Sequence, residues 1–367
     1  MAIPFNDLGR RFAQQQQRLV ETMCAIVQTG VVIGGPVVKN FEENFAAACG
    51  TRFCVGVANG TDALELSLKA CGVEPGDEVL TVANAGGYAT SAILACAAQP
   101  VYVDIEPQQL QMNLDLISRA LAPGTKAVIL THLFGVMNDV AALRKQLRDL
   151  GRDDVAIIED CAQAHGAERI LRAGAQGDVA AFSFYPTKNL GALGDAGALV
   201  TQSSQIAERA RMLHQYGWSP KYHIEVRGGR NSRIDPLQAA FIDAQLGSLD
   251  LWNERRREIC RFYSVHLPDG FRLVGTADRS FVGHLAVVIA PDASARDILR
   301  ARLCNAQIGF DIHYPVLDCE QTGWRQIGRC IGELPVSRMM VERILSIPCF
   351  PELTNAEIEE IGHVLRG

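Results

Sequence analysis

Apolar residues fall into short runs over the first two thirds of the chain, with polar and glycine-containing stretches between them. The runs at 53–57, 78–82, 99–103, 127–131, 155–158, 179–184 and 198–201 read as strands. Several are nearly continuous rather than alternating, the pattern of strands covered by helices on both faces. Between them, 63–71, 88–97, 114–121 and 140–150 carry apolar positions at helical spacing. This alternation predicts an α/β fold with a mostly parallel central sheet flanked by helices. The last third changes character. Residues 236–261 read as one long helix, followed by a strand at 284–290 and helices at 295–303, 337–343 and 355–365. A large domain over 1–245 and a smaller C-terminal α+β domain over 246–367 are expected, with an N-terminal helix at about 9–28 packing on the smaller one.

Composition narrows the classes. The 367 residues fit about two domains and are enough to bury a core without disulfides or metals. With 48% hydrophobic and 21% charged residues the chain is globular rather than disordered. A net charge of −6 argues against a general nucleic-acid or anionic-membrane binder. No apolar run approaches the roughly 18 residues a spanning helix needs. The first residues lack a basic region followed by an apolar one, so a secretory leader is not expected and a cytoplasmic protein is. The 11 cysteines include no C-x-x-C, which points to small buried hydrophobes and to no metal site. The charge run Glu254–Glu258 reads as a solvated helix face.

Ligands of open α/β sheets bind beyond the carboxyl ends of the strands, so chemistry is sought there. After the first strand, Ala58-Asn59-Gly60-Thr61-Asp62 leads into a helix. Free N–H groups and the Thr61 hydroxyl make a phosphate seat; a plain turn capped by Thr61 or Asp62 is the alternative. After the strand at 155–158 come Glu159 and Asp160, then Gln163 and His165. A buried strand-end carboxylate is costly unless it meets a cation or donors, so Asp160 either caps structure or faces a cationic ring nitrogen. After the strand at 179–184 come Tyr185-Pro186-Thr187-Lys188. No P-loop precedes Lys188, but a desolvated lysine has a neutral amine that condenses with an aldehyde. The glycines of 191–197 precede a strand rather than a helix, which sets aside a dinucleotide loop.

Together these segments supply a phosphate seat, an aromatic plate at Tyr88, a carboxylate at Asp160 and an amine at Lys188. These are the groups that pyridoxal 5′-phosphate (PLP) requires.

The chain also resembles the DegT/DnrJ/StrS family of PLP-dependent nucleotide-sugar aminotransferases, which have the aspartate-aminotransferase fold. The resemblance rests on Pro4-Phe5-Asn6-Asp7-Leu8, Ala58-Asn59-Gly60-Thr61-Asp62-Ala63-Leu64, Glu159-Asp160-Cys161-Ala162-Gln163-Ala164-His165-Gly166, Phe182-Ser183-Phe184-Tyr185-Pro186-Thr187-Lys188-Asn189-Leu190-Gly191, Asn231-Ser232-Arg233 and His313-Tyr314-Pro315. It implies Lys188 as the Schiff-base lysine and Asp160 on the pyridine nitrogen. Gln163 would bond the ring hydroxyl, Tyr88 stack on the ring, and Gly60, Thr61 and Ser183 hold the phosphate. Asn231 would reach that phosphate across a homodimer with shared sites. The implied reaction turns a keto-sugar nucleotide, dTDP- or UDP-linked and ketonic at C3, into an amino sugar with L-glutamate as donor. Lys221 and Arg230 are expected at the pyrophosphate, and Tyr185, His313 and Tyr314 at the sugar. Two departures stand out. Asn84-Ala85-Gly86-Gly87-Tyr88 replaces the commoner Ala-Phe-Thr-Phe or Ala-Tyr-Thr-Phe, predicting more room over the cofactor or a more mobile loop. Residues 171–178 replace a Ser-Leu-Gly-Asp ending. A sugar dehydratase of the same family and a non-enzymatic regulator are the competing readings; the dehydratases carry histidine where this chain has Lys188.

Overall fold

The computed structural model describes residues 2–275 and 278–367. The central sheet contains β1 (Phe53–Val57), β2 (Glu78–Val82), β3 (Gln99–Val103), β4 (Thr125–Thr131), β5 (Ala156–Asp160), β6 (Val179–Ser183) and β7 (Gly197–Thr201). A second sheet holds β8 (Arg272–Leu273), β9 (Ala286–Ile289) and β11 (Ile344–Ile347), while β10 (Arg329–Cys330) joins the first. The order in the large sheet is β1-β7-β6-β5-β4-β2-β3-β10. Only β7 runs against the others, pairing antiparallel with both β1 and β6. The expected mostly parallel sheet is therefore present. Strands β1 to β7 are buried almost throughout, in keeping with their nearly unbroken apolar runs, whereas the two residues of β10 at the edge are exposed.

The helices of the first half are α1 (Leu8–Thr29), α2 (Gly35–Cys49), α3 (Gly60–Ala70), α4 (Tyr88–Ala95), α5 (Ile117–Ala120) and α6 (Val140–Asp149). Those of the second are α7 (Ser204–Leu213), α8 (Pro236–Gln245), α9 (Leu249–Ser264), α10 (Ala293–Asn305), α11 (Pro335–Val341) and α12 (Asn355–Arg366). The single helix expected over 236–261 is two, α8 and α9, joined by a tight turn at Leu246–Ser248. Gly247 sits in that turn, where its low helix propensity costs nothing. The helix expected at 114–121 is a 3₁₀ turn running into the short α5.

Two further expectations need correcting. Arg256 and Arg257, inside the charge run, are buried: Arg256 donates to the Cys349 carbonyl and Arg257 to the Phe281 carbonyl at 3.1 Å. Helix α9 turns that part of the run inward because distant carbonyls lie there to receive it. Of the cysteines, Cys24, Cys304 and Cys330 are exposed rather than buried, and all 11 are free thiols.

Helix α1 starts against the C-terminal part of the chain. Arg10 forms a two-bond ion pair with Glu357 of α12 at 2.7 and 2.8 Å, and Phe5 stacks on His313 with ring centroids 5.7 Å apart. One buried apolar cluster runs from β2, β3 and β4 through α9 and α10 to β9, β11 and α12.

Candidate active site

The site is assembled at the carboxyl ends of β1, β5 and β6. Strand β5 ends in two buried carboxylates that alternate across the sheet. Glu159 turns to one face and is fully saturated. It meets His132 Nε2 at 2.9 Å and accepts backbone N–H bonds from Gly174, Gln176 and Gly177 at 3.1, 2.9 and 2.7 Å. Burial pushes its pKa up, but His132 and these N–H groups outweigh it and hold the group below its ordinary value. The 171–178 segment thus wraps a buried anion. His132, Glu159 and Cys161 bring potential metal-ligand atoms within 4.8 Å, yet the histidine is closed: Nε2 faces Glu159 and Nδ1 accepts the Asn138 N–H at 3.0 Å.

Asp160 turns the other way. It accepts the Ala162 N–H at 3.1 Å and the Thr131 hydroxyl at 3.3 Å. Burial raises its pKa against the pull of that N–H and of the Lys188 charge. Lys188 follows β6 in a turn in which its own N–H bonds the Tyr185 carbonyl at 2.8 Å. Desolvation lowers the amine to about 8, with the Asp160 charge opposing. The two residues expected to carry the chemistry therefore sit within each other's field, from strands adjacent in the sheet.

The phosphate end is built by β1 and α3. Asn59, not Thr61 or Asp62, caps α3, its Oδ1 accepting the Asp62 N–H at 2.8 Å. The Asp62 carboxylate is instead engaged by Ser232 Oγ at 2.7 Å and by Arg230. Among the described residues nothing accepts the N–H groups of Gly60 and Thr61, which open the helix where its dipole favours an anion. Gly60 lies hard against Ser183, whose Cβ would be 2.6 Å from any Cβ at position 60. Gly60, Thr61 and Ser183 are thus gathered into one cradle from strands that are not neighbours.

Gln163 accepts the Phe134 N–H at 2.6 Å and donates to the Tyr314 hydroxyl at 3.2 Å. The Tyr314 ring meets Tyr88 edge-on at 6.2 Å. Tyr88 is 51% exposed at the start of α4, and Tyr185 is exposed beside Lys188. His313 bonds Ser346 Oγ through Nδ1 at 3.0 Å, and burial lowers its pKa. The room expected over Gly86 and Gly87 is already filled. A Cβ on Gly86 would lie 2.7 Å from the Tyr314 ring, and one on Gly87 2.8 Å from the Trp324 ring. Both glycines have positive φ, 78° and 85°. The pair admits two aromatic rings from the C-terminal part of the chain. Trp324 escaped the sequence reading, since no local motif marks it.

Three expected residues are not brought to Lys188 within one chain. Asn231 is exposed, bridged to Gln215. Lys221 is exposed, with its ammonium 4.8 Å from the Tyr222 ring centroid. Arg230 is spent on α3, paired with Asp62 and with Glu65 at 2.7 Å.

The residues that are assembled fit PLP: an anion cradle only a glycine permits at position 60, a buried carboxylate free to face a ring nitrogen, and a desolvated amine. Comparison with known proteins agrees. The model of the DegT/DnrJ/EryC1/StrS aminotransferase family matches residues 13–366, and the chain belongs to that family. It is 37% identical to the dTDP-3-amino-3,4,6-trideoxy-alpha-D-glucose transaminase of Micromonospora megalomicea subsp. nigra, over 97% of each chain. The crystal structure of S. venezuelae DesV in complex with a ketimine intermediate superposes with a TM-score of 0.93 at 36% identity, covering 100% of this chain and 98% of that one. NtdA of Bacillus subtilis, solved with bound PMP, gives a TM-score of 0.91 at 26% identity, covering 100% of this chain and 86% of that one.

Proposed function

We propose that this member of the family is a PLP-dependent aminotransferase that converts a nucleotide-linked 3-keto hexose into the corresponding amino sugar, with L-glutamate as amino donor. The observation that carries the reading is the convergence of Lys188, Asp160 and the Gly60–Thr61–Ser183 cradle at three strand ends. The C3 position is supported by the name of the Micromonospora relative.

When bound, PLP supplies an aldehyde that captures amines and a protonated ring that withdraws electrons from the adjoining carbon. The chain's residues do the rest. Gly60 and Thr61 N–H groups, with the Thr61 and Ser183 hydroxyls, anchor the phosphate. Asp160 keeps the proton on the ring nitrogen; two unit charges in contact attract by about 4 kcal/mol at an effective dielectric of 20. Gln163 would hold the ring hydroxyl and Tyr88 would cover the ring. Lys188, as a neutral amine, would take up and return the transferred proton at its Nζ. A pKa lowered to about 8 leaves an appreciable neutral fraction for that work.

Tyr185, His313 and Tyr314 line the sugar side in this reading, and Lys221 answers the pyrophosphate. Arg230, paired twice on α3, acts instead by fixing the cradle helix. Asn231 of the partner subunit completes the phosphate seat in a homodimer. Exposed Val20, Met23, Val27, Val31, Val32 and Ile33 supply apolar surface of the kind a subunit interface covers. The proposal includes a large domain over 1–245 and a small one over 246–367, a division supported by the α8–α9 turn at its boundary.

Purified protein given PLP, L-glutamate and dTDP-3-keto-6-deoxyhexose should release 2-oxoglutarate and an amino-sugar nucleotide in equal amounts. Absence of 2-oxoglutarate with glutamate and a panel of dTDP- and UDP-linked keto sugars would overturn the proposal. No helix among the described residues is long and apolar enough to cross a membrane.

A further inference from the structure

Arg11 lies in the first turns of α1 and is 6% exposed, yet among the described residues no carboxylate pairs with it. A buried guanidinium without a counter-ion is expensive unless its N–H groups are all used. Here they are spent on one short stretch of backbone. Nη1 donates to the Lys188 carbonyl at 3.0 Å and reaches the Pro186 carbonyl at 3.5 Å. Nη2 donates to the Asn189 carbonyl at 3.2 Å and to Gln245 Oε1 at 3.3 Å. The guanidinium carbon sits 4.8 Å from the Trp252 ring centroid.

The same stretch is held from its other sides. The Lys188 N–H bonds Tyr185, and Asn189 Nδ2 donates to Asn253 Oδ1 at 2.8 Å and to the Val282 carbonyl at 3.0 Å. Gly191 packs so closely that a Cβ there would lie 2.4 Å from the Pro186 carbonyl. The Pro186, Lys188 and Asn189 carbonyls around the lysine would otherwise need water, beside an amine whose chemistry needs water excluded.

The geometry points to Arg11 as the positioning residue for Lys188: its guanidinium clamps the 186–189 turn by its carbonyls, so that the amine is presented at one fixed place. The inference rests on the role given to Lys188 above. Arg10, one residue earlier, holds Glu357 of α12, so the start of α1 joins the lysine turn to the C-terminal part of the chain.

The test uses the PLP-loaded full-length enzyme. Arg11→Met keeps the bulk over Trp252 and removes the donors; Arg11→Lys restores a charge and some of them; Gln245→Met removes one acceptor that aims the guanidinium. In Arg11→Met the cofactor still binds, but its visible circular dichroism, which reports a fixed orientation at Lys188, weakens. kcat falls by up to about 100-fold, the cost of a small misplacement, while the sugar-nucleotide KM stays within about threefold. Arg11→Lys recovers part of both signals, and Gln245→Met shifts them the same way by less. If whichever of these variants folds shows wild-type visible circular dichroism and kcat, with only a lower melting temperature, the positioning role is wrong. If the wild type itself forms no visible cofactor band, the functional proposal fails instead.

Discussion

Lys188 owes its reactivity to where it is buried. Desolvation lowers the amine from its ordinary value to about 8, so it is mostly protonated below that pH and mostly neutral above it. Only the neutral form condenses with an aldehyde or accepts a proton. The rate at which apo-protein captures PLP should therefore rise with pH through a midpoint near 8, measured by stopped-flow absorbance. Lys188→Ala should lose the borohydride-trapped adduct and at least about 100-fold in kcat, the scale of a positioned acid–base group. At the glycine pair, Gly87→Ala puts a side chain where φ is 85° and the Trp324 ring is 2.8 Å away. It should cost at least the roughly 1–2 kcal/mol of a left-handed residue, read as a lower midpoint in urea. Asp160 and Lys188 were legible because each lies within a few residues of the end of an apolar run, whereas Ser183 came only with the family resemblance. Arg11 and Trp324 were not. The Arg11 bond to the Lys188 carbonyl spans 177 residues, and no local pattern reports a partner that far away.

Elements were read best where one pattern had one cause. Strands β1, β2 and β3 coincide with their apolar runs, since a strand buried on both faces is apolar at most of its positions. Helices α2 and α7 had no counterpart in the reading, although α7 carries a Ser203 cap whose hydroxyl accepts the Ile206 N–H. The α8–α9 break was missed because helical patterning resumes directly beyond it, although Gly247 marks the place. Helix α12 is closed by a capping box in which Thr354 and Glu357 satisfy each other's backbone N–H groups. Thr354→Ala should lower stability by about 1 kcal/mol in chemical denaturation. Glu357 also holds Arg10, and these bonds keep its carboxyl down at about 2. A depressed acid stabilises the fold above its ordinary pKa of 4.5 and loses that contribution as pH falls through about 2. Glu357→Gln should therefore flatten the fall in melting temperature between pH 4.5 and 2.

At the scale of the molecule, the proposed sharing of each site between two subunits makes a distinctive demand. Under that proposal Lys188→Ala and Asn231→Ala would each damage every site in their own homodimer, but a mixed dimer would place both lesions in one site and leave the other whole. Mixing the two inactive proteins after mild dissociation should restore activity, and a monomer in sedimentation would remove the basis for it. What the sequence determined alone was the fold class and the cofactor, because strand-end motifs and strand burial are local properties of the chain. Only the tertiary structure decided that Arg230 turns onto α3, and that Trp324 and Tyr314 fill the space over two glycines. Each depends on groups far apart in the chain meeting within a few ångströms, and such meetings are set by the packing of whole elements rather than by any neighbouring residue.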